Sequence, residues 1–139
     1  MIYKAAFLDD EESWRFLYRE MIDEFNRDHS GEHHIFCSFY SNPHDFMHCV
    51  DNTFDFVVID IMMPQMSGFD VYRHLAKRCH KVRTIIASNS TRRGEDFISI
   101  MEKNDISIQK ILDRYHELES DRIMNCLEIK TRAVDYGYA

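Results

Sequence analysis

Two kinds of apolar pattern alternate along the chain. Short, nearly continuous apolar runs indicate buried strands, and segments with apolar residues every three or four positions indicate amphipathic helices. The runs predict five strands, over residues 3–8, 34–40, 54–61, 82–89 and 106–112. The periodic segments predict five helices, over residues 11–29, from Asn42-Pro43 onward, over 68–79, over 94–104 and around 123–134.

The first predicted helix shows its periodicity most clearly, because six large apolar residues fall on one face. They are Trp14, Leu17, Tyr18, Met21, Ile22 and Phe25. The second helix is predicted from its opening, where Asn42 has the character of an N-cap and Pro43 that of a first-turn proline. The segment "GEDFISIMEKN" is interpreted as the fourth helix, and "ISIQKIL" as a fifth strand with a weaker pattern.

Regular alternation of strand and helix predicts one architecture. Strands joined by helical crossovers form a parallel sheet with helices on both faces. The third strand, in "FDFVVIDI", is apolar at nearly every position, as expected for a central strand covered on both sides. We therefore predict a doubly wound, five-stranded parallel α/β sheet in a single domain, residues 1–139, with its core over about 3–134.

Composition narrows the classes of function. The 139 residues carry a net charge of -7, which argues against a nucleic-acid surface. The four cysteines form no C-x-x-C pair, and no apolar run approaches membrane-spanning length. We predict a cytoplasmic protein with reduced thiols and no membrane contact. His33-His34 and Cys37 lack the convergent spacing of a zinc site and are interpreted as ordinary loop or surface residues.

The predicted topology collects polar residues at one edge of the sheet, because ligand sites in such folds lie beyond the carboxyl ends of the strands. Clustered carboxylates stay ionised together only around a cation, and hard oxygen ligands suit Mg²⁺. A carboxylate can also attack phosphorus. In this hypothesis Asp60 is the nucleophile, two aspartates hold Mg²⁺ and two further side chains meet the phosphoryl oxygens. The four supporting residues are Asp9, Asp10, Ser88 and Lys110.

Three stretches, "FLDDEES", "DFVVIDIMMPQMSGFDVYRHL" and "TIIASNS", resemble the receiver domain of bacterial two-component response regulators over roughly residues 3–110. The resemblance implies a flavodoxin-like (βα)5 fold. It also implies that Asp60 accepts a phosphoryl group from a histidine kinase or a histidine phosphotransfer protein, and that Asp10, helped by Asp9, binds Mg²⁺. The main-chain carbonyl of Met62 would be a further ligand. Ser88 matches the family's hydroxyl residue after strand four.

Lys110 matches the lysine that the family carries after strand five, but the match departs from the usual pattern. The family usually places a proline after this lysine and an aromatic residue two or three positions before it, whereas this chain has "SIQKILD". Lys103 is the other lysine nearby, although it falls in the predicted fourth helix. At strand four, a register shift by one residue would favour Asn89 over Ser88.

These observations predict a stand-alone phosphorylatable signalling switch of a two-component system or phosphorelay. It is expected to assist its own phosphorylation and dephosphorylation rather than act as an enzyme, and to signal to a downstream protein target by contact or by onward phosphotransfer. Two alternatives stay open. One is a phosphorylation-independent interaction module on the same fold. The other is a phosphohydrolase with an aspartate nucleophile, which is disfavoured because Met62 stands where those enzymes carry a second acid.

Overall fold

The structure, a computed structural model, describes residues 1–88 and 100–121. Its five strands are β1 (Ile2–Leu8), β2 (His34–Tyr40), β3 (Phe56–Asp60), β4 (Arg83–Ser88) and β5 (Ile100–Glu102). Its four α-helices are α1 (Glu12–Asp28), α2 (Pro43–Cys49), α3 (Gly68–Arg78) and α4 (Ile108–Ser120). A 3₁₀ turn over Lys103–Asp105 lies between β5 and α4.

All five strands belong to one sheet, in the order β2-β1-β3-β4-β5, and every neighbouring pair is parallel. This is the doubly wound order of the flavodoxin-like fold, so the predicted fold class is confirmed. The central strand β3 is buried at all of its positions, as a strand with helices over both faces must be.

Each face of the sheet carries its own apolar core. On one face, α1 and α4 contribute Tyr18, Ile22, Phe25, Ile111 and Tyr115 to a cluster with apolar residues of the strands. On the other face, α2 and α3 supply Phe46, Val71 and Leu75 to a second cluster. The burial of an apolar stripe on each helix therefore explains why the helices divide between the two faces.

Local signals explain where two of the helices begin. The Asn42 side chain accepts hydrogen bonds from the main-chain N–H groups of His44 and Asp45, and Pro43 stands in the first turn of α2, so the predicted opening is confirmed. Ser67 caps α3 by accepting from the N–H of Asp70. None of the helices in the described ranges is long and apolar enough to cross a membrane.

The prediction is wrong near the end of the described chain. Residues 100–104, expected to finish the fourth helix, instead form β5 and the first two residues of the 3₁₀ turn. Of the expected strand over 106–112, residues 108–112 form the start of α4. Ser107 caps this helix by accepting from the N–H of Lys110. The buried residues follow helical i, i+3, i+4, i+7 spacing, at Ile108, Ile111, Leu112 and Tyr115. The predicted helix around 123–134, the first part of the predicted fourth helix and Asn89 lie outside the described residues.

Candidate functional site

Three carboxylates meet at the carboxyl edge of the sheet. Asp9 directly follows β1 and Asp60 is the last residue of β3, and these parallel strands are neighbours. One oxygen each from Asp9, Asp10 and Asp60 lie within 4.8 Å of one another. Asp9 and Asp60 are buried, so water screens their repulsion only weakly. The structure thus brings together the three acids that the sequence analysis selected.

A buried lysine stands between two of these carboxylates. Lys103 Nζ lies 2.5 Å from Asp9 Oδ2 and 3.0 Å from Asp60 Oδ1. The Lys103 side chain is only 1% exposed. It is the first residue after β5, which lies next to β4 in the sheet. Because two carboxylates share one ammonium group, Lys103 offsets much of the cost of burying their charge. We call Asp9, Asp10, Asp60 and Lys103 the carboxylate–lysine site.

Lys110, which the sequence analysis selected as the site lysine, lies elsewhere. It stands in the first turn of α4, where its Nζ is 2.6 Å from Asp105 Oδ2 and also donates to the main-chain carbonyl of Asp105 at 2.9 Å. Its side chain is 48% exposed. The prediction is wrong because Lys110, expected within a strand over 106–112, lies in α4, and the last strand of the sheet, β5, already ends at Glu102. The missed signal is the helix cap Ser107, which separates Lys110 from any strand.

The surroundings of Asp60 change its acidity. Burial raises the pKa of Asp60 to about 6, the hydrogen bond and charge of Lys103 lower it, and the nearby carboxylates of Asp9 and Asp10 raise it. Asp60 is therefore mostly ionised at neutral pH, although less completely than an exposed aspartate. Three acids facing one lysine leave an excess of negative charge that a further cation would neutralise.

The carboxylates of Asp9 and Asp10 differ in how they are held. Asp9 Oδ1 accepts from the main-chain N–H of Glu11 at 3.0 Å, and the Asp9 main-chain carbonyl accepts from Arg15 Nη1 at 2.8 Å. Asp10 Oδ1, in contrast, is buried and has no hydrogen-bond partner among the described residues. A buried carboxylate oxygen without a donor calls for a cation or water. An all-oxygen set with such an atom fits Mg²⁺ better than a softer metal.

Ser88 and Met62 flank the carboxylates on neighbouring elements. Asp60 pairs with Ala87 across the β3–β4 ladder, so Ser88, buried at the end of β4, is one residue further toward the same edge. Met62 is the second residue after β3, and its side chain is exposed. The register therefore places Ser88 beside the site, and Met62 follows the acceptor strand by two residues. The phosphoryl contact of Ser88 and the metal contact of the Met62 carbonyl stay predictions.

Gly68 shapes the loop that carries Asp60 into α3. The Gly68 N–H donates to the main-chain carbonyl of Ile61 at 2.9 Å. A Cβ atom at position 68 would lie 2.5 Å from the main-chain oxygen of Asp60 and 2.9 Å from the Cα of Ile61. Only glycine permits such a close return of the chain. The loop therefore folds back against the residue whose carboxylate lies in the site.

Trp14 is a residue near the site that the sequence analysis took for simple packing. Its ring centroid lies 4.9 Å from Lys103 Nζ. No spacing in the sequence links the two residues, since one starts α1 and the other follows β5, so their proximity depends on the tertiary fold.

Comparisons with known proteins agree with this geometry. The response regulator receiver domain family matches residues 6–114, and the chain belongs to this family. Similar solved structures include a CheY-like receiver domain from Methanospirillum hungatei JF-1, with 13% identity, TM-score 0.68 and coverage of 87% of this chain and 99% of that one. No curated protein matches the chain.

Two further structures share the fold. The receiver domain of the Francisella response regulator 1452 has 20% identity and TM-score 0.66, covering 86% of this chain and 98% of that one. The BeF3-activated receiver domain of DrrB, a Thermotoga maritima protein, has 17% identity and TM-score 0.62, covering 86% of this chain and 99% of that one. At such low identities these likenesses concern the fold only.

Proposed function

We propose that this receiver domain is a phosphorylatable switch of a two-component system or phosphorelay, and that Asp60 accepts the phosphoryl group. The observation that carries the proposal is the buried ammonium of Lys103, which bridges Asp60 and Asp9 at 3.0 Å and 2.5 Å. A cation at the acceptor oxygen is what phosphoryl transfer needs most, because this reaction depends on positioning and charge neutralisation.

In the proposed transfer, a carboxylate oxygen of Asp60 attacks the phosphorus of a phosphohistidine on a histidine kinase or histidine phosphotransfer protein. The O–P bond forms as the N–P bond breaks, and the departing imidazole keeps the electron pair and takes up a proton. Lys103 neutralises negative charge on the phosphoryl oxygens. The pKa of Asp60 is about 6, so enough of the nucleophilic carboxylate is present at neutral pH.

Asp9, Asp10, Asp60 and the main-chain carbonyl of Met62 would hold Mg²⁺. When bound, the ion supplies the positive charge that three acids and one lysine lack, and it lowers the repulsion between the carboxylates and an incoming phosphoryl group. Asp10 is the strongest support for this assignment, because its buried Oδ1 has no hydrogen-bond partner among the described residues. Because Asp9 would contact both the ion and Lys103, binding of the ion would weaken the contact between Asp9 and Lys103. Metal binding and the lysine contact would therefore be coupled.

The phosphoryl group would contact the Ser88 hydroxyl, and the resulting shift of the end of β4 would alter the surface read by a downstream protein. The domain would pass its signal by that contact or by onward phosphotransfer, as a cytoplasmic regulator that assists its own phosphorylation and dephosphorylation. The resemblance of the fold to a BeF3-activated receiver domain suggests the same phosphoryl mimic as a probe for this chain.

The test is incubation with acetyl phosphate and Mg²⁺, followed by intact mass spectrometry. We expect a gain of one phosphoryl group, which is absent in Asp60→Asn and absent when a chelator replaces Mg²⁺. Asp105→Asn is the matched control, since it also neutralises an aspartate but one that pairs with the exposed Lys110. Folded wild-type protein that gains no mass with metal present would refute the proposal.

A phosphorylation-independent interaction module is the second candidate. It is favoured by the pairing of Lys103 with both Asp9 and Asp60, which places a cation between two of the acids without a metal. Mg²⁺ titration calorimetry separates the two candidates. Binding that is lost in Asp10→Asn supports the switch, and absence of binding favours the module. The phosphohydrolase alternative has no support in the site, because the exposed Met62 offers no acid.

A further inference from the structure

The contact between Trp14 and Lys103 joins α1 to the carboxylate–lysine site. Trp14 is the third residue of α1, and its ring centroid is 4.9 Å from Lys103 Nζ. A cation within about 6 Å of an indole ring face is attracted by the ring quadrupole, most strongly where water is excluded. Because the Lys103 side chain is buried, this attraction acts in a poorly screened environment. One nitrogen is therefore held by groups from α1, β3 and the residue after β1.

Apart from its two carboxylate partners, Lys103 has few restraints from its own segment of the chain. The strand before it, β5, has three residues, and the turn that follows closes with a long 3.4 Å hydrogen bond from the Ile106 N–H to the Lys103 carbonyl. Neither Asn104 after the lysine nor Met101 two residues before it supplies a ring that could restrict the side chain. The Trp14 ring reaches the ammonium from another element, at 4.9 Å from the ring centroid.

We propose that Trp14 is a positioning residue that holds the Lys103 ammonium between Asp9 and Asp60, and thereby sets the rate at which Asp60 takes up a phosphoryl group. This inference rests on the proposed function of Asp60. The ring matters most during the transfer, because the attacking oxygen of Asp60 gives up its negative charge when it bonds to phosphorus. The attraction of Lys103 to that oxygen then falls, while the attraction to the ring is unchanged.

Simple core packing is the competing explanation of Trp14. The ring packs against the cluster on the α1 face, and its centroid is 6.0 Å from that of Tyr18. Packing depends on the volume and shape of the side chain, whereas positioning of the ammonium depends on the electron density of the ring face. The two roles are therefore separable by changes that keep the shape of the ring and alter its charge distribution.

The contact itself is tested without any phosphorylation. Trp14 is the only tryptophan in the chain, so its fluorescence reports on this position alone. We expect Lys103→Met to change the Trp14 emission intensity and wavelength, and Lys110→Met, which alters an exposed lysine on α4, to leave them as in the wild type. Identical emission from folded wild type and Lys103→Met would overturn the inference, whatever the phosphorylation assay shows.

The effect on transfer is tested by the rate of mass gain with acetyl phosphate and Mg²⁺. A Trp14→Leu variant loses the ring, and we expect its phosphorylation rate to fall about five- to thirtyfold. This is the range expected for loss of a cation–π contact that is partly or fully shielded from water. Trp14→Phe keeps an aromatic ring with a weaker attraction for cations, so its rate should lie between those of the wild type and Trp14→Leu. Phe16→Leu is the matched control, because Phe16 is an exposed aromatic residue on the same helix. Equal rates in wild type and folded Trp14→Leu would overturn the inference.

Fluorinated tryptophan provides the measurement that does not depend on a substitution. Biosynthetic incorporation of mono- to trifluorotryptophan labels position 14 alone and withdraws electrons from the ring with little change of shape. We expect the phosphorylation rate to fall stepwise with fluorine number, and a flat series would contradict a positioning role. If unlabelled wild type takes up no phosphoryl group, the proposed function fails, and the fluorescence comparison alone decides whether Trp14 holds Lys103.

Discussion

Asp60 is a carboxyl group that the fold makes less acidic. Burial, with the carboxylates of Asp9 and Asp10 beside it, raises its pKa from 3.8 to about 6 in spite of Lys103. The folded state therefore holds a proton on Asp60 more tightly than the unfolded state does. By linkage, this proton stabilises the fold below about pH 4, and the stabilisation is lost as the pH rises to about 6.

We expect this loss to be visible against Asp60→Asn, which cannot ionise. In metal-free buffer, the wild type should lose about 1–2 kcal/mol of unfolding free energy relative to Asp60→Asn between pH 4 and pH 7, a value reduced for solvent screening. Denaturant titrations at several pH values measure it. A difference between the two proteins that does not depend on pH would show that Asp60 has an ordinary pKa.

The two lysines near the end of the described chain differ sharply in burial, and their removal should differ accordingly. Lys103→Met leaves Asp9 and Asp60 buried without their cation and should cost about 3 kcal/mol of unfolding free energy at pH 7 without metal. Lys110→Met breaks an exposed ion pair and should cost no more than about 0.5 kcal/mol. Added Mg²⁺ should restore much of the loss in Lys103→Met only. Equal losses in the two variants, measured by urea unfolding, would contradict the assignment of Lys103.

At the scale of the element, the turn from β3 into α3 depends on Gly68. A Cβ at this position would meet main-chain atoms of Asp60 and Ile61, which cannot move aside as a flexible side chain can. We expect Gly68→Ala to cost about 2 kcal/mol of unfolding free energy and to slow phosphorylation of Asp60. Gly31→Ala is the control: it strains a positive φ of 87° in open space and should cost about 1 kcal/mol without slowing phosphorylation. Equal phosphorylation rates in both variants would separate Gly68 from the site.

The edge strand β2 is protected by a side chain of α1. Asn26 donates from Nδ2 to the Ile35 carbonyl at 3.0 Å and accepts from the Ile35 N–H through Oδ1 at 2.8 Å, so it pairs main-chain groups that face away from β1. Asn26→Ala should cost about 1–3 kcal/mol because both groups lose their partner. Glu24→Ala, at an exposed position of the same helix, should change stability by less than about 0.5 kcal/mol. Thermal unfolding of the two variants checks this difference.

Sequence patterns predicted the elements that are long or strongly capped. The periodic face of α1, the Asn42-Pro43 opening of α2 and the apolar run of β3 all carry local signals that agree with the fold. The pattern failed at β5, whose three residues are too few to show a period. It failed again at Ile106–Leu112, where the apolar positions suit either structure and only the Ser107 cap indicates a helix.

At the scale of the whole molecule, the site results from the order of the strands. Parallel strands deliver their carboxyl ends to one edge, so Asp9, Asp60 and Ser88 could be placed together from the sequence alone. Lys103 could not be placed at the site from the sequence, because its position depends on where the short edge strand β5 ends. Trp14 could not either, since its contact with Lys103 arises only when α1 packs beside the end of β5. The order of the strands determines where the acids lie, whereas the position of Lys103 depends on tertiary packing.

The central claim is that Asp60 is the phosphoacceptor and that Lys103, rather than Lys110, serves it. A crystal structure of the protein with Mg²⁺ and beryllofluoride tests both parts at once. The account predicts a beryllium atom bonded to a carboxylate oxygen of Asp60, with Lys103 Nζ within hydrogen-bond distance of a fluorine atom and Lys110 still paired with Asp105. Electron density for the mimic away from Asp60, or contact of Lys110 with it, would contradict the account.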